Sequence, residues 1–196
     1  MLAKPPERIL DQAPFERILD TATWLFYREG IQAVGVNRIV AVADVAPMTL
    51  YRRFGSKDAL VAAALQHWSD RWLGWLRARL DRCGEDPRAR LAGLWDALEE
   101  WFATREFRGS FVANAAVELH GKPGHPGHKA IAAHRAAFRE LLLELTTGVG
   151  ARDPATAATK LLVLLEGTVA VAVIERRRPS IDAVRALATA ALAEDR

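Results

Sequence analysis

The sequence predicts an all-α fold of about nine helices. Half of the residues are apolar, Ala and Leu dominate, and runs of β-branched residues that would favour strands are few. Apolar residues also recur at spacings of three and four, which is typical of helices with one buried face. A chain of 196 residues can bury a sizeable core, but it is short for two large domains.

Three short helices are predicted in the first quarter of the chain. The first begins at Pro14 and ends at Gly30, because these residue types favour the two ends of a helix. The second covers Val36–Ala43, and Asp44 lies in the turn that follows. Pro47–Phe54 forms the third helix.

Six further helices are predicted beyond residue 55. Ser56 can cap a long fourth helix that ends near Cys83. The segment GKPGHPG (121–127) is a loop by its Gly and Pro content. The boundary between the two parts of the chain is expected inside the fourth helix, which would couple them. The remaining five helices are predicted at 87–105, 110–120, 128–147, 154–177 and 181–193.

Residues 36–60, VNRIVAVADVAPMTLYRRFGSKDAL, carry the strongest functional pattern. Two short amphipathic helices meet at a tight turn, and the second has Leu50 and Phe54 on its inward face. A rigid helix that offers both phosphate and base contacts is what the major groove of DNA requires. The pattern predicts a helix-turn-helix DNA-binding domain over residues 1–57. The outward residues of the helix Pro47–Phe54 include Met48, Thr49, Arg52 and Arg53.

Lys57 is unusual for its position at the start of a helix. A lysine there opposes the helix macrodipole. Beside the free backbone amides of the same helix end, however, it creates an anion site that suits a DNA phosphate. The alternative is a solvated surface charge. The net charge of +3 permits an anionic partner but does not demand one, so the DNA-binding hypothesis depends on residue placement.

The segment from about Phe15 to Leu65 resembles the DNA-binding domain of the tetracycline-repressor (TetR) family of transcription regulators. Its core, MTLYRRFGSKDAL, is similar to the family pattern TLY-x-x-F-x-S-K-x-x-L, and the helix order also fits over the whole length. The resemblance implies contacts with double-stranded operator DNA at Val36, Asn37, Pro47, Met48, Thr49, Tyr51, Arg52 and Lys57.

Three departures from the family pattern surround the turn. Gly35 replaces a frequent Thr, Asp44 replaces a frequent Gly, and Ala46 replaces the usual capping Ser. These changes leave the predicted fold intact. Pro47 and Met48 offer no side-chain hydrogen bond to a base, so a known operator sequence cannot be transferred to this chain.

The family resemblance further implies that residues 58–196 form a helical domain that binds a small molecule and dimerises. The eighth helix is apolar around nearly its whole circumference, so it must be buried on every side. A second copy of the chain could supply this cover, and a two-fold dimer would match a pseudo-palindromic operator. The alternative is a central helix buried within a monomer. The predicted dimer interface comprises Leu161, Leu165, Val169, Val173, Val184 and Leu187.

Aromatic residues gather where a ligand pocket is expected. The predicted ligand-binding aromatics are Trp68, Trp72, Trp75, Trp101, Phe111 and Phe138. Asn114, Glu118 and Glu166 lie within otherwise apolar helical patterns and could orient a ligand, because unpaired polar groups are costly to bury. The alternatives are an ordinary aromatic core, and polar groups that bind each other or water.

Four of the five histidines lie within a span of fifteen residues: His120, His125, His128 and His134. His125 and His128 could bind zinc or nickel if a carboxylate such as Glu118 joined them. Because no ligand spacing here is diagnostic, surface loop histidines are the favoured interpretation. We therefore predict no metal and no other cofactor.

Other classes of protein find no support in the sequence. The common enzyme motifs G-x-S-x-G, H-E-x-x-H, P-loop and G-x-G-x-x-G are missing, so an enzyme is not expected. The single cysteine, Cys83, fits a reducing cytosol. The apolar stretch from Leu161 to Ile174 falls short of the roughly 20 residues of a bilayer span, and the N-terminus has no apolar signal core. A cytoplasmic protein without a membrane partner is expected.

The sequence therefore predicts a ligand-responsive transcription regulator that acts as a homodimer, with a repressor favoured over an activator. The alternative is a DNA-binding regulator that responds to a protein partner or a metal. The ligand, the operator and the regulated genes are not identified by the sequence.

Overall fold

The computed structural model describes residues 13–193 and contains, within them, nine α-helices and no strand. The predicted all-α fold is confirmed. Numbered in chain order, the helices are α1 (Pro14–Glu29), α2 (Val36–Ala43), α3 (Pro47–Phe54), α4 (Lys57–Asp81), α5 (Pro87–Phe102), α6 (Phe111–Leu119), α7 (Gly127–Gly148), α8 (Pro154–Glu175) and α9 (Ile181–Ala193).

The ends of the first helices follow from their local residues. Pro14 begins α1 and Gly30, with φ of 93°, ends it. Asp44 adopts the left-handed conformation (φ 51°, ψ 57°) that ends α2, a conformation that Asp tolerates better than most residues. At the start of α4, the Ser56 hydroxyl accepts a hydrogen bond of 3.1 Å from the amide of Ala59.

α5 and α8 end earlier than the sequence predicts. α5 ends at Phe102 instead of residue 105, where the hydroxyl of Thr104 donates to the carbonyl of Trp101 at 2.7 Å. α8 ends at Glu175 instead of residue 177, because Arg176 is left-handed, with φ of 51° and ψ of 31°. Neither helix has Gly or Pro at its last position, so these helix-ending residues do not mark where the two helices end.

The described chain divides into two compact units. Unit 1 comprises residues 13–72 and 110–134, and unit 2 comprises residues 73–109 and 135–193. α4 and α7 each contribute residues to both units. In unit 1, α1 packs against α2 and α3, and it buries Ile18, Leu25 and Phe26 with Ile39 and Leu50.

Unit 2 is organised around α8 and α9. α9 packs against both α8 and α5, and the guanidinium of Arg185 in α9 forms an ion pair with Asp96 in α5. Asp153 caps α8 by accepting from the amide of Thr156 at 3.0 Å. Hydrogen bonds from the Thr156 side chain and backbone lower the pKa of Asp153.

The predicted dimer interface requires correction. Leu161 and Leu165 are 0% and 4% exposed, and Val169 and Val184 are also buried within the single chain. These four residues face the core of unit 2 and have little surface to offer a partner. Val173 and Leu187 are exposed, as are other apolar residues of α8: Val163, Val171 and Ile174. α8 therefore has one buried side and one exposed side.

α8 is also longer than the apolar stretch identified in the sequence. It has 22 residues, and its most apolar 18-residue window has a mean hydropathy of 1.9, so by length and composition alone it could cross a membrane. The expectation that this segment is too short is therefore wrong. A core helix passes the same test, and 44% of the window is buried within the protein, so the test alone does not place α8 in a bilayer.

Candidate nucleic-acid interface

α3 has one buried side and one broad exposed side. Leu50 is fully buried and Phe54 is half-buried, as the sequence predicts for the inward face. Met48 is 73% exposed, and Tyr51 and Arg52 are exposed as well. The exposed side of α3 thus presents an aromatic hydroxyl, a guanidinium and a flexible apolar side chain.

Hydrogen bonds hold the turn before α3 against α1 and against α2. A guanidinium nitrogen of Arg17 in α1 donates to the carbonyl of Asp44 at 3.0 Å. The amide of Val45 donates to the carbonyl of Val40 at 3.1 Å. These bonds fix the angle between α2 and α3, which a helix that enters the major groove must keep.

The two arginines of α3 differ in their contacts. The guanidinium of Arg53 lies 5.1 Å from the ring centroid of Phe15, within cation–π range. Arg52 makes no hydrogen bond or ion pair within residues 13–193. Of the two, Arg52 is the one whose donors are available to an external partner.

Lys57 has a partner within the protein. Its ammonium donates to the carbonyl of Ile31 at 2.8 Å and lies 6.0 Å from the ring centroid of Phe26. Partial burial lowers the pKa of Lys57, and the positive charge of Lys122 lowers it further. An ammonium has three N–H donors, so a bond to Ile31 leaves donors for a phosphate. That phosphate contact stays a prediction.

The loop that contains Ile31 is also bound by Glu118 of α6. One carboxylate oxygen accepts from the amide of Ile31 at 3.0 Å, and the other accepts from the amide of Gln32 at 2.8 Å. Lys122 donates to the side-chain oxygen of Gln32 at 3.1 Å. Glu118 was predicted to orient a ligand, but its carboxylate binds the loop between α1 and α2, which we call the α1–α2 loop (residues 30–35).

The predicted aromatic residues of unit 1 are in contact with one another. Trp68 and Trp72 stack with ring centroids 5.9 Å apart, and Phe111 meets Trp68 edge-on at 6.1 Å. Tyr27 and His134 complete this group, and neither was predicted to belong to it. We call these five residues the aromatic cluster. The ring nitrogen of Trp68 is buried without a hydrogen-bond partner within the described chain.

The remaining predicted ligand residues have other surroundings. Asn114 is exposed, and Glu166 forms an ion pair of 2.5 Å with Arg135, so neither is a buried polar group without a partner. In unit 2, Trp101 meets Phe107 edge-on at 5.2 Å. Phe138 is buried and Trp75 is half-buried.

The sequence analysis favoured surface loop histidines, but two of the four, His125 and His134, are buried. His125 is buried, its Nδ1 accepts from the amide of Gly127 at 3.0 Å, and its Nε2 lies 3.3 Å from a carboxylate oxygen of Asp58. His134 is buried and its Nδ1 lies 2.9 Å from the hydroxyl of Ser69. Within residues 13–193, no three His, Cys, Asp or Glu side chains gather as a metal site requires.

Replacement of Glu118 by Ala should loosen the α1–α2 loop. The amides of Ile31 and Gln32 would lose their acceptors, at a cost of about 1–3 kcal/mol in the free energy of unfolding. Hydrogen exchange at these two amides should accelerate. Glu140→Ala is the control, because Glu140 is exposed in α7 and makes no bond among the described residues. Equal exchange rates at residues 31 and 32 in both variants would contradict the assignment.

Comparisons with known proteins agree with this geometry. Residues 18–64, which include α2, the turn and α3, match the family model for bacterial regulatory proteins of the tetR family. The HTH-type transcriptional regulator YjdC of Escherichia coli K12 is 26% identical over 174 residues, which cover 88% of this chain and 90% of YjdC.

Solved structures extend the similarity over the whole fold. SCO4454, a TetR-family transcriptional regulator from Streptomyces coelicolor, is 30% identical with a TM-score of 0.77, and the match covers 93% of this chain and 95% of SCO4454. The protein sav143 from Streptomyces avermitilis is 26% identical with a TM-score of 0.75, and the match covers 92% of this chain and 98% of sav143. The chain therefore belongs to the TetR family, and it is a DNA-binding transcriptional regulator and not an enzyme.

Proposed function

We propose that the protein is a cytoplasmic, homodimeric repressor that binds a pseudo-palindromic operator and leaves it when a small molecule binds. The observation that carries the proposal is the exposed side of α3. Tyr51 and Arg52 are exposed, and their side chains make no hydrogen bond, ion pair or ring contact within residues 13–193, so their polar groups are available to an external partner. Two such helices, related by a dimer axis, would read two half-sites one helical turn of DNA apart.

The predicted contacts divide by chemistry. Thr49 and Lys57 offer donors that suit phosphates, and the start of α2, at half-buried Val36 and exposed Asn37, adds the first amides of a helix N-terminus. Arg52 has the forked guanidinium that can bind a guanine edge. Pro47 and Met48 are exposed and apolar, so a thymine methyl is the base feature that they could contact.

A second copy of the chain is the proposed cover for the exposed side of α8. At about 100° per residue, one stripe on this side contains Val163, Gly167, Ala170, Val171 and Ile174, all of them exposed. Gly and Ala in the stripe would let two helices approach closely. Leu187, exposed on α9, extends the apolar surface. Pairing of α8 and α9 with their copies would form a four-helix seam.

The aromatic cluster is the proposed wall of the effector site. The unpaired ring nitrogen of Trp68 is a buried donor that an acceptor on a ligand could satisfy. The multidrug binding protein EbrR, which shares the fold at 22% identity and a TM-score of 0.68, has a structure complexed with proflavin. A small organic effector is therefore proposed here too.

α6 offers a route from the aromatic cluster to the DNA-binding helices. Phe111 at its start belongs to the aromatic cluster, and Glu118 near its end binds the loop that precedes α2. A ligand that displaces Phe111 would move Glu118 and the loop with it. The ligand must bind the two states with different affinity. A coupling of about 1–3 kcal/mol would weaken operator binding roughly 5 to 150-fold.

Arg52→Ala should weaken binding to the operator by about 1–3 kcal/mol while changing the affinity for random DNA less, if Arg52 reads a base. The operator is first selected from random DNA, and fluorescence anisotropy then gives both affinities. Arg53→Ala is the matched control, because the Arg53 guanidinium lies on the Phe15 ring. An equal loss on all sequences would make Arg52 a phosphate contact.

Lys57→Ala should weaken binding to every DNA sequence and lower the slope of log affinity against log salt by about one, as expected for one lost phosphate contact. Lys122→Ala is the control, because it removes the same charge and also frees the α1–α2 loop. A slope that is unchanged by Lys57→Ala would show that this lysine only supports the loop.

Ile174→Asp should dissociate the dimer, because it places a charge within the apolar stripe of α8 that the partner chain would cover. Sedimentation of the wild type should give twice the chain mass of 21.6 kDa, and the variant should sediment as a single chain. Val117→Asp is the control, since Val117 and Ile174 are both 79% exposed but Val117 lies on α6. A monomeric wild type would refute the dimer.

A further inference from the structure

Unit 2 contains a cavity of about 700 Å³ that none of the predicted ligand-binding residues lines. Its walls come from the end of α5, the connection between α5 and α6, and the end of α8. We call it the arginine-rimmed cavity, because Arg108 and three successive arginines at residues 176–178 line it. Its volume lies in the range of roughly 300–1,000 Å³ that is usual for small-molecule sites.

The apolar wall of this cavity is well supported. The ring of Phe107 meets those of Phe102 and Trp101 edge-on, with centroids 5.1 and 5.2 Å away. Gly109 has φ of 83°, and a Cβ at this position would lie 2.8 Å from a methyl group of Val173. The connection between α5 and α6 therefore packs closely against the end of α8, and Phe102, Phe107 and Val173 form one apolar surface.

Two of the four arginines at the rim, Arg176 and Arg178, carry positive charge that no group of the described chain neutralises. Arg177 forms an exposed ion pair of 3.1 Å with Glu175. Arg176 and Arg178 have no hydrogen bond or ion pair within residues 13–193. The left-handed conformation of Arg176 ends α8 here, so these guanidinium groups follow directly on the apolar wall. Uncompensated guanidinium groups beside a concave apolar wall attract anions.

We propose that this cavity binds a small amphipathic anion, with a carboxylate or phosphate end and an apolar body. The guanidinium fork matches both anionic groups in geometry and can bind either with two parallel hydrogen bonds. Phe102, Phe107 and Val173 would cover the apolar body. This cavity does not depend on the aromatic cluster, whose residues all belong to unit 1.

The proposed dimer leaves this cavity in place. Ala172 and Val173 line the cavity, whereas the exposed stripe of α8 is centred near Val163 and Ile174. At about 100° per residue, Ala172 lies on the opposite side of α8 from Val163, and Val173 lies about 100° from Ile174. A partner chain on the stripe and a ligand in the cavity can therefore bind together.

The test is a fluorescence titration of the full chain with dansylaminoundecanoic acid, without DNA and at low ionic strength, where exposed charges are least screened. Decanoate and decyl phosphate should both displace the probe, which also compares the two anionic groups. Decanol should compete at least about tenfold less well, because it lacks the charge–guanidinium bonds. Inorganic phosphate alone should not compete at similar concentration.

A double variant that carries both Arg176→Gln and Arg178→Gln should bind the probe about tenfold or more weakly than the wild type. The control joins Arg139→Gln with Arg152→Gln, two exposed arginines of unit 2 that have no partner within the described residues and do not line the cavity. It should keep the wild-type affinity. Circular dichroism checks that both variants fold.

Failure of the probe to bind, equal competition by decanol, or full affinity in the Arg176 and Arg178 variant would overturn the proposal. An equal loss of probe affinity in this double variant and in the Arg139 and Arg152 control would also overturn the proposal, because binding would then follow net charge alone. Since no DNA is present, these outcomes are independent of operator release and leave the proposed repressor function to its own tests.

Discussion

The carboxylate of Glu118 accepts hydrogen bonds from two successive backbone amides, those of Ile31 and Gln32, and much of the DNA-binding half of the protein depends on this interaction. The α1–α2 loop leads directly into α2, and α2 sets the angle of α3. Lys57 also binds this loop, because its ammonium donates a hydrogen bond to the carbonyl of Ile31. A carboxylate that accepts two amide bonds is costly to displace, because both donors would lose their partner. The position of α2 is thereby tied to the position of α6.

This arrangement places α6 between the proposed effector site and the DNA-binding helices. One end of the helix contributes Phe111 to the aromatic cluster, and the other end contributes Glu118 to the α1–α2 loop. Because α6 has only nine residues, it moves largely as a rigid body. A displacement of one end therefore also displaces the other end. All of these contacts lie within unit 1, and that unit therefore holds both the proposed sensor wall and the DNA-binding helices.

α8 shows how one apolar helix can serve two surfaces. Its buried side completes the core of unit 2, and its exposed side carries a stripe that a second copy of the chain could cover. The end of the same helix contributes to the arginine-rimmed cavity. A uniformly apolar sequence is consistent with each of these environments, and they are separated by the packing of unit 2, in which α9 lies against α8. This packing is why Leu161 and Leu165 belong to the core while Ile174 remains exposed.

The elements that depend on local residues were predictable from the amino-acid sequence. The helix-turn-helix followed from the apolar spacing of α2 and α3, from Asp44 in the turn and from Pro47 at the start of α3. The inward position of Leu50 and the exposure of Arg52 followed from helical periodicity. Nothing local reports contacts between residues that are distant in the chain. Glu118 and Ile31 are 87 positions apart, and an isolated glutamate in an apolar helix fits a ligand site as well as a backbone contact. The groups that bind this carboxylate, and likewise the side of α8 that is buried, follow from how the helices pack in three dimensions.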